Sequence, residues 1–178
     1  HPLPLRYPFA IIGFSKDETP INIVELTSEL DVFLINAVGM TFDEMVAITE
    51  QPNYDFKLQL PKNDKLAQEV CGVANLKGGG YILLGIDKNG KPVGLPKGKT
   101  LDDIQLQITN VIHDSCRPKP KFDFYIFDNP EDITTAILIT RVYEIERKPC
   151  MFHDRVYMRF GSSVRPADSE EIRRMVLI

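Results

Sequence analysis

The stretch NLKGGGYILLGIDKNGKPVG, Asn75–Gly94, decides the fold. Three consecutive glycines, Gly78 to Gly80, stand between a helical stripe (Leu66, Val70, Val73, Ala74) and the continuous apolar run YILLGI. Phosphate-cradling glycine loops run from strand to helix. Here the order is helix, then strand, so the glycines are expected to stop the helix in left-handed conformations and launch a buried strand. A third glycine is more than a cap needs, which leaves close approach by a ligand or another backbone open. Asn89-Gly90, within KNGK, is a hairpin-turn signal, and PVG is expected to return beside the strand.

Upstream, YDFKLQL (Tyr54–Leu60) alternates apolar and polar residues as a strand does. Before it, Thr19 and Pro20 have the N-cap and N1 pattern, and Leu26, Leu30, Phe33, Leu34 and Ala37 share one helical face that Gly39 can end. TFDE, Thr41–Glu44, is a capping box for a second short helix reaching about Glu50. Downstream, Thr100–Asp103 resembles a cap, followed by a stripe of Leu101, Ile104, Ile108, Val111 and Ile112 that RPKPK ends. FDFYIF and TAILITRVY read as an antiparallel pair, RVYMRF as a further strand, and Asp168 with Glu171 as the cap of a last helix. This order indicates an α+β fold: a mixed, largely antiparallel sheet with helices packed on it. Residues 1–49 form an acidic helical extension, either a separate small module or a layer on the sheet, and residues 50–178 form the main domain.

A chain of 178 residues, 43% apolar and 26% charged, has the make-up of a soluble globular domain able to bury a core. The longest apolar run is strand-sized, so no membrane is indicated, and HPLPLRYPF has neither the basic flank nor the apolar region of a signal peptide. Cys71, Cys116 and Cys150 are odd in number and lack CxxC spacing. That argues against a disulfide framework or a structural zinc, makes Cys71 inert packing, and sets the cytoplasm as the expected location. The net charge of −4 hides a division. Residues 1–56 carry 2 basic and 9 acidic side chains, residues 57–121 carry 11 and 6, and residues 122–178 carry 8 and 10. A basic central segment inside an acidic chain suits an anionic ligand, or is simply uneven surface lysine usage.

The candidate chemistry is then specific. Lys57, Lys77, Arg117, Lys119, Lys121, Arg159 and Arg165 would form a phosphate-binding stripe if the strands gather them, with Tyr54, Tyr125 and Tyr157 available for stacking. Glu50, Asp55 and Asp87 could hold Mg²⁺ or Mn²⁺, with Lys57 neutralising charge that develops on a phosphate. GLPKGKT, Gly94–Thr100, ends in Gly98, Lys99 and Thr100 like a P-loop, but only three residues separate its first two glycines. One of them is Pro96, which has no amide to donate, so ATP is not expected there. His113 and His153 sit in no nucleophile motif.

YDFKLQL, VANLKGGGYILLGIDKNGKPVG and RVYMRFGSSVRPADSEEI, in order and spacing, resemble the Schlafen AlbA-type domain over residues 50–175. That family shows a Glu-Phe-Lys strand, an Ala-Asn-x-x-Gly-Gly helix end, a Gly-Val-Asp-like strand end and a Tyr-x-Arg-x-Gly-Ser segment. The resemblance implies an α+β fold associated with nucleic acid. In prokaryotes such domains occur in transcriptional regulators, often described as ATP-binding-like. In animal Schlafen proteins, related domains cut transfer and ribosomal RNA with a carboxylate trio. Carried over, the trio would be Glu50, Asp55 and a third acid at Asp87, where Lys88 aligns equally well. Asp55 stands where the family has Glu and reaches about one methylene less far.

Three functional readings follow. The first is a noncatalytic, DNA-directed regulatory domain that grips phosphates through the basic segment. The alternative is a metal-dependent endoribonuclease acting on structured RNA through Glu50, Asp55 and Asp87. The third is an ATP-responsive or protein-interaction module, with the N-terminal helices as the surface for a protein partner. A homodimer is compatible with all three.

Overall fold

A computed structural model describes residues 54–129 and 131–177. The two helices expected before residue 51, and Glu50 with them, lie outside the described residues. The elements are β1 (Tyr54–Lys57), α1 (Asn63–Ala74), β2 (Gly80–Leu84), β3 (Leu95–Pro96), α2 (Lys99–Ser115), β4 (Phe122–Asn129), β5 (Asp132–Val142), β6 (Met151–Phe152), β7 (Arg155–Phe160), β8 (Ser163–Pro166) and α3 (Ser169–Val176). The fold is α+β with a mixed, mostly antiparallel sheet, as the element order indicates.

Strand β5 organises the larger, five-stranded sheet. Its run AILIT is buried throughout, and it pairs antiparallel with β4 on one side and with both β2 and β3 on the other. Among the described residues the one parallel pair in this sheet is β1 with β2, which places β1 at the edge of the described strands. Strands β2 and β3 follow each other along β5, Leu84 opposite Leu138 and Leu95 opposite Ala136. The Asn89-Gly90 turn is therefore an excursion from one interrupted strand. The expected hairpin return is corrected to a single bridge, Ile86 with Pro92, because Val93 and Gly94 both donate back to the Gly85 carbonyl (2.7 and 2.8 Å) and close the loop.

Helix α1 is buried on more than one side, since Glu69 and Gly72 are covered as well as Leu66, Val70, Cys71 and Val73. It lies between the larger sheet and the three-stranded sheet β6-β7-β8. Gly72 is the close contact with the smaller sheet: a Cβ there would stand 2.7 Å from Val164 Cγ2. Helix α2 adds Leu101, Ile108, Val111 and Ile112 to the same core. It begins at Lys99 with Gly98 at its N-cap and no side-chain cap bond, two residues earlier than the expected Thr100 cap. Helix α3 opens on the capping box read from the sequence, Asp168 Oδ1 accepting from Glu171 N and Glu171 Oε1 from Asp168 N, both at 2.8 Å.

The triple glycine is a corner. Gly78 and Gly79 have φ of +81° and +65°, conformations that favour residues without a Cβ. Gly78 has open space around it, whereas a Cβ on Gly79 would lie 2.2 Å from the Val142 carbonyl oxygen. The close approach that the third glycine left open is thus to another backbone, the end of β5. Among the described residues no helix is long and apolar enough to cross a membrane.

Candidate nucleic-acid interface

Alternation along β1 sends Asp55 and Lys57 to the helix side of the sheet, in register with Ile82 and Leu84. There they enter a run of charges inside the protein. Asp55, 1% exposed, accepts from Arg159 Nη2 of β7 at 3.3 Å and lies 3.5 Å from Lys57 Nζ. Lys57 donates to Glu69 Oε1 of α1 at 2.7 Å, and Lys65 approaches the same oxygen at 3.9 Å. Burial pulls the Lys57 ammonium down, but Asp55 and Glu69 outweigh it and leave the group above its usual range. The network sets two acids among three bases and ties the edge strand, the central helix and the second sheet together.

This placement corrects part of the expected phosphate stripe. The Arg159 side chain is 0% exposed and cannot reach a phosphate. Lys57 is half-buried and held by Glu69. Arg165 is exposed but makes a two-point contact with Glu171 (3.0 and 2.8 Å) and lies 3.9 Å from the centre of the Phe160 ring. Arg165 in turn holds the Glu171 carboxyl down at about 2. Arg117 folds back on the end of α2, donating to the carbonyls of His113 (2.7 Å) and Cys116 (2.9 Å).

The remaining predicted cations do come together. The loop after α2 carries Lys119 and Lys121, the segment after β5 carries Arg147, and these three line one cavity of about 410 Å³ with Glu144 and Glu146. Glu144 connects that cavity to the glycine corner: Gly78 N donates to Glu144 Oε1 at 2.8 Å, and Lys148 Nζ lies 2.7 Å from its Oε2. The Gly78 amide first, then Lys148, hold the Glu144 carboxyl below its usual range, and exposed Lys77 adds to the effect through space. Lys77, Lys119, Lys121, Arg147 and Lys148 therefore share one edge, with Glu144 and Glu146 between them. Beside it, Tyr143 with Lys119 and Lys121 lines a neighbouring cavity. The Arg141 guanidinium lies 4.6 Å from the Tyr81 ring centre and 4.7 Å from that of Tyr143. Tyr54 stacks on Tyr81 at 6.0 Å, while Tyr157 is buried in the core. Arg147, Lys148, Arg141 and Tyr143 were not singled out in the sequence, because it takes the β4–β5 pairing to set Arg141 and Tyr143 beside residues 121–123 and the turn after β5 to bring Arg147 to Lys119 and Lys121.

The metal reading meets a different environment. Asp55 already faces two cations. Asp87 Oδ1 accepts from the amides of Asn89 (2.8 Å) and Lys91 (2.9 Å), capping the excursion between β2 and β3. Among the described residues no group of three or more His, Cys, Asp or Glu side chains could hold a metal ion, and Glu50 lies outside them. At the Gly-Lys-Thr segment, Lys99 is paired with Asp103 at 3.3 Å and α2 follows a two-residue antiparallel strand. A P-loop needs a strand that delivers successive amides to one phosphate, and Gly94 instead packs on Thr135, where a Cβ would meet Oγ1 at 2.1 Å.

Two further constellations escaped the sequence. Asn75 Nδ2 donates to the carbonyls of Cys150 (3.0 Å) and Tyr157 (2.9 Å), while Cys150 N donates to Asn75 Oδ1 (2.7 Å). One buried amide thus fastens the end of α1 to the second sheet. The three cysteines, spread over 80 residues of sequence, converge in the core with Cys71 Sγ and Cys150 Sγ 3.4 Å apart. Hydrogen bonding among the thiols, and burial after it, hold Cys71 and Cys150 above the ordinary thiol range, while the Cys116 thiol donates to the Ala67 carbonyl at 3.8 Å.

A crystal structure of the DIP2311 protein from Corynebacterium diphtheriae is 24% identical over 70% of this chain, with a TM-score of 0.47. The matched part is 23% of that protein's chain, so this chain spans about a quarter of it. None of the curated proteins compared with it matches. The family model described as Schlafen, AlbA_2 matches residues 50–168, which take in every described strand together with α1 and α2. By that match, the chain belongs to the Schlafen AlbA_2 family.

Proposed function

We propose that this domain binds nucleic acid, duplex DNA in a regulatory role, by gripping the phosphate backbone along the edge formed by Lys77, Lys119, Lys121 and Arg147. The observation that carries the reading is the convergence of these cations from three separate parts of the chain around Glu144. Exposed cations on turns, carried on long flexible stems, suit phosphates rather than base edges. Tyr143, propped by Arg141, gives the same edge an aromatic flank for an unpaired base. Family membership supports a nucleic-acid-binding or regulator-like domain in general. Glu144 and Glu146 temper the field, so the affinity is modest and strongly dependent on salt.

The test is a titration of labelled duplex DNA, single-stranded DNA and transfer RNA at two salt concentrations, with and without Mn²⁺, followed by a denaturing gel. Binding that weakens steeply with salt and leaves the probe intact supports the reading. No binding, or binding indifferent to salt, removes it. Metal-dependent shortening of the RNA would instead promote the ribonuclease reading, whose Asp55 is paired with Arg159 and Lys57.

A further inference from the structure

Two residues one turn apart at the end of α1 reach the same place in the chain. Asn75, whose amide donates to the Cys71 carbonyl at 3.0 Å, clamps the backbone of Cys150 on both sides: its Oδ1 accepts from Cys150 N at 2.7 Å and its Nδ2 donates to Cys150 O at 3.0 Å. Cys71 meets the side chain of that residue, with the two sulfurs 3.4 Å apart although the residues are 79 positions apart in sequence. Both thiols are 0% exposed. Cys150 has one S–H proton, and the Cys71 sulfur and the Pro118 carbonyl, also at 3.4 Å, compete for it. Pro118 is itself exposed and lines the cavity of the basic edge, so on that side one surface residue covers the pair. Cys116 is the third thiol of the cluster, and its sulfur turns to the Ala67 carbonyl.

We infer that Cys71 and Cys150 are a disulfide-forming pair that a small hydroperoxide oxidises, locking α1 to the segment that follows β5. The thiol of Cys150 takes the terminal oxygen of the peroxide: the O–O bond breaks, an S–O bond forms, and water leaves with the thiol proton. The Cys71 sulfur then attacks the sulfenic sulfur. An S–S bond forms, the S–O bond breaks, and the hydroxyl departs with the Cys71 proton as a second water. The sulfurs lose two electrons in all and the peroxide gains them. Closing 3.4 Å to a bond of about 2 Å takes movement of about 1.4 Å, which side-chain rotation shares between two residues whose backbones α1 already holds in place. Burial and hydrogen bonding keep both thiols protonated, so the reaction is slow and answers sustained oxidant. The bond makes the Asn75 clamp covalent, between α1 and the segment bearing Arg147 and Lys148.

The experiment treats the folded full chain with hydrogen peroxide for several hours. The protein is then unfolded, its free thiols are alkylated, and its peptides are mapped by mass without reduction. Expected are one linked pair, Cys71 with Cys150, lighter by two hydrogens than the separate peptides, and one alkylated thiol at Cys116. The oxidised protein should melt about 5–10 °C higher than the reduced one, and dithiothreitol should reverse both changes. Cys116→Ala should keep the link. Three alkylated cysteines in the folded protein, a bridge to Cys116, a sulfinic or sulfonic acid in place of the link, or a link that lowers the melting temperature would each overturn the inference.

Discussion

Two groups of cations in this domain have opposite fates. Arg159 and Lys57 look inward to Asp55 and Glu69, at 3.3 and 2.7 Å, and join two sheets across a helix. Lys119, Lys121 and Arg147 look outward around a surface cavity, with only Glu144 and Glu146 between them. The residue types are nearly the same. Burial separates a structural role from a candidate ligand-binding one: a buried pair must be matched to survive desolvation, whereas exposed cations repel one another and attract a polyanion.

The comparison breaks most visibly at Arg159. Arg159→Ala leaves Asp55 as a buried, poorly compensated carboxylate and is expected to cost about 3–5 kcal/mol in a urea titration. Asp55→Asn in that background should cost less than its effect alone, because the charge it removes has already lost one of its partners. A loss below about 1 kcal/mol for Arg159→Ala would mean that the inward network is dispensable.

The glycine corner keeps the two regions apart and offers a sharper contrast. Gly79→Ala places a Cβ against the Val142 carbonyl as well as straining φ, for an expected loss on the order of 3 kcal/mol or more. Gly78→Ala meets no atom within 4 Å and pays only for its φ of +81°, about 1–2 kcal/mol. Equal losses in thermal or urea unfolding would show that the close approach to β5 does not matter.

The smallest effect concerns pH at the edge. The Glu144 carboxyl sits below its usual range in the folded protein, so the stabilisation from its Gly78 and Lys148 contacts is full above the usual carboxylate range. That contribution is lost as the pH falls through the lowered value. Protonation also removes a negative charge from the edge, so DNA binding should tighten on acidification. Glu144→Gln should bind duplex DNA about two- to fivefold tighter at neutral pH, and the wild-type protein should approach it only at acid pH. A variant with unchanged or weaker affinity would place the DNA elsewhere.

Much of the fold was legible because it is written in local signals. Alternation gave β1, the strand-like runs FDFYIF and RVYMRF gave β4 and β7, the Asp168–Glu171 box gave α3, and the helix-then-glycine order told a corner from a phosphate loop. The PVG return is real but short: Pro92 bridges Ile86, Val93 and Gly94 bond back to Gly85, and the chain then rejoins β5 rather than running on beside β2. The site was only half legible. Exposed Lys119 and buried Arg159 look alike in a sequence, and the depth of Arg159 follows from a sheet stacked on α1, a relation no periodicity carries. Arg147 and Lys148 reach the edge through one turn after β5, and the cysteines meet only because both sheets pack on one helix.

The most direct test is the salt dependence of duplex binding in three proteins: wild type, Lys119→Gln/Lys121→Gln/Arg147→Gln, and Lys88→Gln/Lys91→Gln as an equally exposed control on the excursion loop. For each phosphate contact removed, the slope of log K against log salt should fall by about 0.9. The edge variant is expected to lose two to three such contacts, with stability unchanged, while the loop variant keeps the wild-type slope. Identical slopes in all three proteins would contradict a phosphate grip at this edge.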